Sequence, residues 1–493
     1  MIAHVKMRKA LQNPDFESLL EPRERAREFG ADIFDPVSVN AANGKPIFTI
    51  EQVAQQLTRS GTAWNGVGAN PVPNGGLGTI SYAFFNNAAE VYSSEKNQFV
   101  PLSQAQRDAV RQAFSILGEV LGVAFVEGNV ATADINLGNI DSAEDYYSAY
   151  ASHPDKTREG GDVWFRLNAP TTQEVGLAQA GFRTIMHEIG HALGLSHPSN
   201  YNAAPGVTLT YEANAQYFQD SLQYTIMSYF ASSSTGAVRT SFAATPMAHD
   251  IAALQSLYGA NMTTRTGDTV YGFNSNAGRP FFDFSQNTAP VIAIWDAGGR
   301  DTLDFSGWSS NSRIDLKPGA SSDGGGQTTN VQIAFGATIE NAVGGAGDDT
   351  IGGNGANNLL QGGGGNDRLS GLYGTDRSEG GAGADIFVFT SLSDSVDYRH
   401  RSDGKKWTSD VLADFTSGTD KIDLSAIDAN SGTAADDAFA FIGTGAFTHQ
   451  AGQLRFEARD GFVHIFADVD GDAVADLHIA ASGTQVLAGD FVL

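Results

Sequence analysis

The sequence predicts a multidomain α+β chain, with a mixed β-sheet and helices in the N-terminal part and an all-β arrangement in the C-terminal part. Two observations carry this reading. Apolar residues recur at helical and at strand spacing up to about residue 258. Beyond about Asn261 long helical periodicity disappears, and Gly, Asp, Asn, Ser and Thr punctuate short apolar segments. With 493 residues, two or three domains are expected. The divisions read are 1–42, 43–262 and 263–493, with the main boundary near 258–265.

Residues 1–42 are mixed in charge (Arg23, Glu24, Arg25, Arg27, Glu28) and lead into the small-residue run 40–44. A prosegment or N-terminal arm and an ordinary terminal helix both fit them. Thr49 and Gln52 form a capping-box pattern ahead of Ile50, Val53 and Leu57, predicting a short amphipathic helix. Residues 78–85 read as a strand. Ser103 and Gln106 repeat the cap, and Val110, Ala113, Phe114, Leu117 and Leu121 follow at helical spacing. Val123–Val126, Ala133–Leu137 and Asp162–Leu167 read as strands. A second long helix is expected from about Gln173 to Leu193.

Composition excludes several functions. There are 56 acidic and 30 basic residues, a net charge of −26, which argues against a nucleic-acid partner. No cysteine is present, so disulfides and thiolate metal sites are excluded. The apolar runs are too short for a membrane span. Lys6, Arg8 and Lys9 precede no apolar stretch, so no Sec-type signal peptide is read.

The strongest signal is His187-Glu188-Ile189-Gly190-His191-Ala192-Leu193-Gly194-Leu195-Ser196-His197. His187 and His191 lie one helical turn apart on one face, so both imidazoles can reach one metal ion. Glu188 lies beside them, placed for a metal-bound water rather than for the metal. Gly194 allows the helix to end, and the reversed chain brings His197 back as a third ligand. Three protein ligands leave a position open for water, as in catalytic zinc sites.

The second signal is a nine-residue repeat in five consecutive copies from Gly344 to Val388. The copies begin at Gly344, Gly353, Gly362, Gly371 and Gly380, and an apolar residue holds the eighth place in four of the five. A flexible linker would not keep that place apolar, so a solenoid is predicted. The glycines make tight turns with inward carbonyls and the aspartates add carboxylates, an oxygen-rich setting that suits calcium. The repeat resembles that of the RTX calcium-binding β-roll. Its candidate ligands are Gly345, Gly347, Asp349, Asn358, Gly363, Gly365, Asp367, Gly374, Asp376, Gly381, Gly383 and Asp385.

Downstream of His197, the segment Tyr224-Thr-Ile-Met227-Ser228-Tyr229 resembles the Met-turn of the metzincin metalloproteases. Ser196-His197-Pro198 and Ser228-Tyr229 resemble the serralysin branch, from about Gly44 to the C-terminus. The resemblance implies a metzincin catalytic domain, a mixed sheet with a zinc-bearing helix, followed by an all-β domain with a parallel β-roll. It implies one catalytic Zn2+ held by His187, His191, His197 and, at rest, Tyr229, with Met227 beneath. Glu188 would be the general base, and Tyr229 would turn to the reaction's oxyanion. Several structural Ca2+ ions are implied. Arg265, Gly267, Thr269, Asp296, Gly298, Gly299 and Asp301 resemble one early calcium site, and Thr338, Glu340, Asp410 and Asp414 match further positions.

The expected activity is that of a secreted, monomeric zinc endopeptidase acting on protein and peptide substrates. The substrate would lie along an edge strand among residues 143–152. The terminal Asp490-Phe491-Val492-Leu493 resembles the uncleaved signal read by a type I secretion apparatus, and a small proteinaceous inhibitor is a further partner to consider. A non-catalytic calcium-binding module would explain residues 263–493 but not the zinc motif. A protease with one dedicated target shares the chemistry and is not separated from a broad-specificity enzyme by sequence.

Overall fold

The computed structural model describes residues 43–65, 70–71, 78–395, 409–433 and 435–493, and the reading of residues 1–42 falls outside them. Both predicted caps form. Helix α1 (Ile50–Leu57) starts with reciprocal bonds, Gln52 N to Thr49 Oγ1 at 3.3 Å and Thr49 N to Gln52 Oε1 at 2.9 Å. The same exchange between Ser103 and Gln106 opens helix α2 (Gln104–Val120).

The sheet of the N-terminal half contains β1 (Thr79–Phe84), β2 (Phe99–Val100), β3 (Ala124–Glu127), β4 (Ile135–Ile140), β5 (Ala149–Ala151) and β6 (Val163–Arg166). Its order is β3-β1-β4-β6-β5, with β2 beside β4. The first four strands of that order are parallel, and β5 runs antiparallel along β6 at the edge. The apolar face of α2 packs on this sheet, with the Phe114 ring stacked 4.2 Å from Tyr82. The edge strand β5 lies within residues 143–152, with Ala149–Ala151 paired to β6.

The helix expected from Gln173 begins instead at Ala180, as α3 (Ala180–Ala192). Pro170–Thr172 forms a separate 3-10 turn. Ala178 is left-handed at φ 58°, and the Gln179 side chain accepts from Gly176 N at 2.8 Å, so residues 173–179 are spent on turns. Helix α4 (Ala248–Tyr258) packs against α1.

Beyond α4 the described residues are strands, turns and short 3-10 segments, as the texture of the sequence predicts. Two largely parallel sheets face each other. In one, Thr350–Gly352, Arg368–Ser370 and Ile386–Val388 stack in order, and in the other Leu359–Gly364 stacks on Arg377–Ala382. Each partner lies 18 residues away, for example Ile351 against Leu369 and Leu360 against Ser378. Two nine-residue repeats therefore make one turn of the roll, alternate copies feeding alternate sheets. The eighth-place residues Ile351, Leu360, Leu369, Ser378 and Phe387 are all buried between the sheets.

The largest cluster of buried apolar residues runs from Val53 to Phe491, and two smaller ones lie apart, around Trp164 and around Tyr201. Polar contacts also cross between the two halves. Arg265 pairs with Glu119 of α2 at 2.7 Å, and Gln332 donates to Gln223 O at 2.9 Å. No helix among the described residues is long and apolar enough to cross a membrane.

Candidate metal centre

Helix α3 delivers His187 and His191, and the chain then turns at Gly194, which has φ +104°. A Cβ at Gly194 would sit 2.3 Å from Thr62 O, so both the backbone conformation and the close packing require glycine. The turn returns His197 to the same point. Its Nε2 lies 3.1 Å from that of His191 and 3.3 Å from that of His187. Zinc–nitrogen bonds of about 2.0–2.1 Å in a tetrahedron require nitrogen separations of about 3.3–3.4 Å, so the triad fits zinc.

Each ring is oriented from behind. His187 Nδ1 bonds to Ile226 O at 2.8 Å, His191 Nδ1 to Leu195 O at 2.7 Å and His197 Nδ1 to Tyr201 O at 2.9 Å. With the proton on Nδ1, each Nε2 lone pair is left for a cation. Burial, reinforced by the neighbouring imidazole, lowers His187 to about 3. Burial lowers His197 to about 4, and it takes His191 well below its usual range. The rings are therefore neutral, as ligands must be.

Glu188 is buried, and its carboxylate has no hydrogen-bond partner among the described residues. Burial raises it to about 8. It faces a cavity of about 880 Å³ shared with His191, His197, Tyr229 and Tyr150. Tyr229 is 42% exposed, and its ring centroid lies 4.4 Å from that of His197. Burial raises its hydroxyl to about 12, with Glu188 adding to the shift. Met227 is fully buried beneath, its sulfur close enough that a Cβ on Gly190 would meet it at 2.7 Å.

Several supporting residues escaped the sequence reading. Asp220 accepts from Ser199 Oγ at 2.5 Å, Tyr201 OH at 2.8 Å and Ser228 Oγ at 2.8 Å, tying the His197 loop to the turn that carries Tyr229. Asp250, at the start of α4, accepts from Ile226 N at 2.8 Å and holds the Met227 turn from below. Arg59 donates to the carbonyls of His197 and Ser199. His153 Nε2 shares Leu195 O with His191, at 2.9 Å. None of these sits in a motif; each acts through a fold contact.

In the roll, the candidate calcium residues fall on successive turns. Asp349 N donates to Asp367 Oδ1 at 2.7 Å, Asp367 N to Asp385 Oδ1 at 2.9 Å, Asn358 N to Asp376 Oδ1 at 2.8 Å and Asp376 N to Asp410 Oδ1 at 2.9 Å. The second oxygens of Asp367 and Asp376 are buried without a partner. Burial raises these two carboxyls to about 7 and about 8, with repulsion from nearby aspartates adding to it. The glycines bring carbonyls together. A Cβ on Gly363 would lie 2.3 Å from Gly345 O, on Gly365 2.3 Å from Gly347 O, on Gly381 2.1 Å from Gly363 O, on Gly383 1.7 Å from Gly365 O and on Gly374 2.4 Å from Ala356 O. Orphaned carboxylate oxygens beside crowded carbonyls form a hard donor set of the kind calcium takes.

The early cluster also converges. Asp301 accepts from Thr269 N at 2.8 Å, its own N–H donates to Glu340 at 2.7 Å, and its Oδ2 is buried without a partner. Asp296 accepts from Gly298 N at 2.8 Å, and Gly299 packs against Gly267 O. The Arg265 guanidinium points away, to Glu119 and Tyr271. The Thr338 side chain is exposed, two residues before Glu340. Asp414 accepts from Gly380 N and Gly381 N at 2.9 and 2.8 Å, a different turn from that of Asp410. Asp420, which accepts from Asp385 N at 3.0 Å, extends the aspartate ladder and was not anticipated.

Comparison with known proteins agrees with this geometry. The Matrixin family model matches residues 84–223 and the Peptidase M10 serralysin C-terminal model matches residues 260–493. The chain is 39% identical to Metalloprotease AprA of Pseudomonas entomophila (strain L48), over 97% of each chain. It is 41% identical to Metallopeptidase AprA of Pseudomonas marginalis, covering 91% of this chain and 92% of the relative. With Serralysin C of Dickeya chrysanthemi the identity is 40%, over 92% of this chain and 91% of that one. Such membership implies zinc, for which the three converging imidazoles are the fitting donor set. A zinc-shaped triad at the foot of an open cleft, a calcium-suited roll in the C-terminal half and identity of about 40% over almost the whole length together make the chain a metalloendopeptidase of the serralysin-type metzincin family.

Proposed function

We propose that this chain cleaves internal peptide bonds with Glu188 as general base, His187, His191 and His197 as zinc ligands and Tyr229 as oxyanion donor. The observation that carries the reading is the three-way approach of the Nε2 atoms beside an unpartnered buried carboxylate. When bound, zinc supplies Lewis acidity at that point. Glu188 takes the proton of the attacking water and later passes it to the leaving amine. Tyr229 donates its hydroxyl proton in a hydrogen bond to the developing oxyanion, a contribution of roughly 10²–10³ in rate. Ser148 O and Ser152 N bond inward to β6, so by strand alternation the backbone groups of Ala149 and Ala151 face outward, ready to pair with an extended substrate.

The test is Glu188→Ala. The variant should keep its fold and its zinc and lose nearly all peptidase activity. Retention of more than about a tenth of the wild-type rate removes Glu188 from this role.

The same proposal divides the chain into a catalytic part, 43–262, and a calcium-folded part, 263–493, secreted through a type I apparatus. Support comes from the orphaned aspartate oxygens and from the net charge of −26, which cations would offset. Each calcium bound only by the folded form adds about 2.7 kcal/mol when its free concentration is 100 times its Kd. Low internal calcium would keep the roll open for export, and external calcium would close it. The last residues join the roll as they would after folding: Phe491 and Val492 pair with Ile422 and Asp423, and Asp490 accepts from Ser417 Oγ at 2.6 Å.

A further inference from the structure

We propose that Arg183 is a specificity-determining residue that selects substrates carrying Asp or Glu beside the scissile bond. The inference rests on the peptidase reading above and adds a substrate class to it. Arg183 lies on α3 four residues before His187, and so on the same face one turn away. It lines a cavity of about 330 Å³ together with Thr184, His187, Glu188 and Tyr229, so whatever fills that cavity adjoins the reacting bond.

Among the described residues the guanidinium has neither a hydrogen-bond nor an ion-pair partner. The Phe242 ring covers it at 5.1 Å. Burial alone acts to lower its pKa. Asp145 lies at the rim of the same cavity but is exposed and makes no ion pair with it. The other half-buried arginines near the cleft are satisfied: Arg59 by the carbonyls of His197 and Ser199, Arg166 by Tyr147 O at 2.9 Å. A cation withdrawn from water without a partner is costly. A ligand carboxylate removes that cost, and a guanidinium binds it through two parallel N–H groups. The whole molecule is strongly acidic and repels acidic peptides at long range, so a local cation is what admits such a side chain.

The test uses the zinc- and calcium-loaded enzyme and peptides, otherwise uncharged, in which Glu or Gln occupies, in turn, each of the two positions on either side of the cleaved bond. At one position kcat/KM should favour Glu over Gln by about 10- to 100-fold, the range of a buried charge-assisted hydrogen bond. Arg183→Gln should bring that ratio close to one, and Arg183→Lys should keep part of it. If Arg183→Gln does not fold, the wild-type ratio and the Lys variant decide. Equal cleavage of Glu and Gln peptides at every position overturns the assignment, as does a preference that survives in Arg183→Gln. Those results leave the peptidase reading intact, whereas a wild-type enzyme that cleaves none of the peptides overturns both.

Discussion

Gly190 sits between Ile189 and His191, and what matters there is the side chain it lacks. The Met227 sulfur would lie 2.7 Å from a Cβ at that position. Gly190→Ala should push the methionine from its seat under the histidines, at about 1–3 kcal/mol for an overpacked core site. Thermal denaturation should show the loss, and activity should fall with it; an unchanged melting temperature would mean the floor can shift freely. At this scale the sequence reveals what is local. His187, Glu188 and His191 are legible because one helical turn places them, and His197 because Gly194 supplies the bend. Asp220, Asp250 and His153 are not legible, since their bonds join distant parts of the chain: Asp250 to Ile226 and His153 to Leu195.

Elements were legible in proportion to their capping chemistry. The two helices with a Thr or Ser cap and a Gln three residues on begin where the pattern puts them. Helix α3 has no side-chain cap, and its apolar pattern runs back into turns, so its start was placed about seven residues early. Between β4 and β6, Asn136 and Asp162 are neighbours, and Asn136 Oδ1 and Asp162 Oδ2 are buried without partners. Burial raises Asp162 to about 7 from 3.8. The folded protein therefore holds a proton that the unfolded chain releases. Stability from the neutral carboxyl is complete below the unfolded value and is lost as pH rises through the folded one. Asp162→Asn should be more stable than wild type at pH 8, with a smaller gap at pH 5. Melting temperatures of both proteins at the two pH values check this, and a gap that does not grow with pH contradicts it.

Over the whole molecule, the repeat made the roll legible and its period made the burial of Ile351, Leu360, Leu369 and Phe387 readable in advance. The 18-residue turn was not read, because one nine-residue copy does not say which sheet it enters. One ladder runs along each sheet, Asp349, Asp367, Asp385 and Asp420 on one and Asn358, Asp376 and Asp410 on the other, each passing from turn to turn, so loss of bound calcium should act cooperatively. Calcium chelation should abolish the β-sheet circular dichroism contributed by residues 340–390, and added calcium should restore it. A spectrum unchanged by chelation would separate the roll's folding from calcium.

The peptidase chemistry depends on the three imidazoles, and a single titration addresses them. Zinc removed with a chelator selective over calcium should take peptidase activity with it in proportion, and one equivalent of zinc per chain should restore both. His197→Ala, with calcium present, should bind zinc far more weakly and stay inactive. Full activity in zinc-free protein, or wild-type zinc affinity in His197→Ala, would contradict the account.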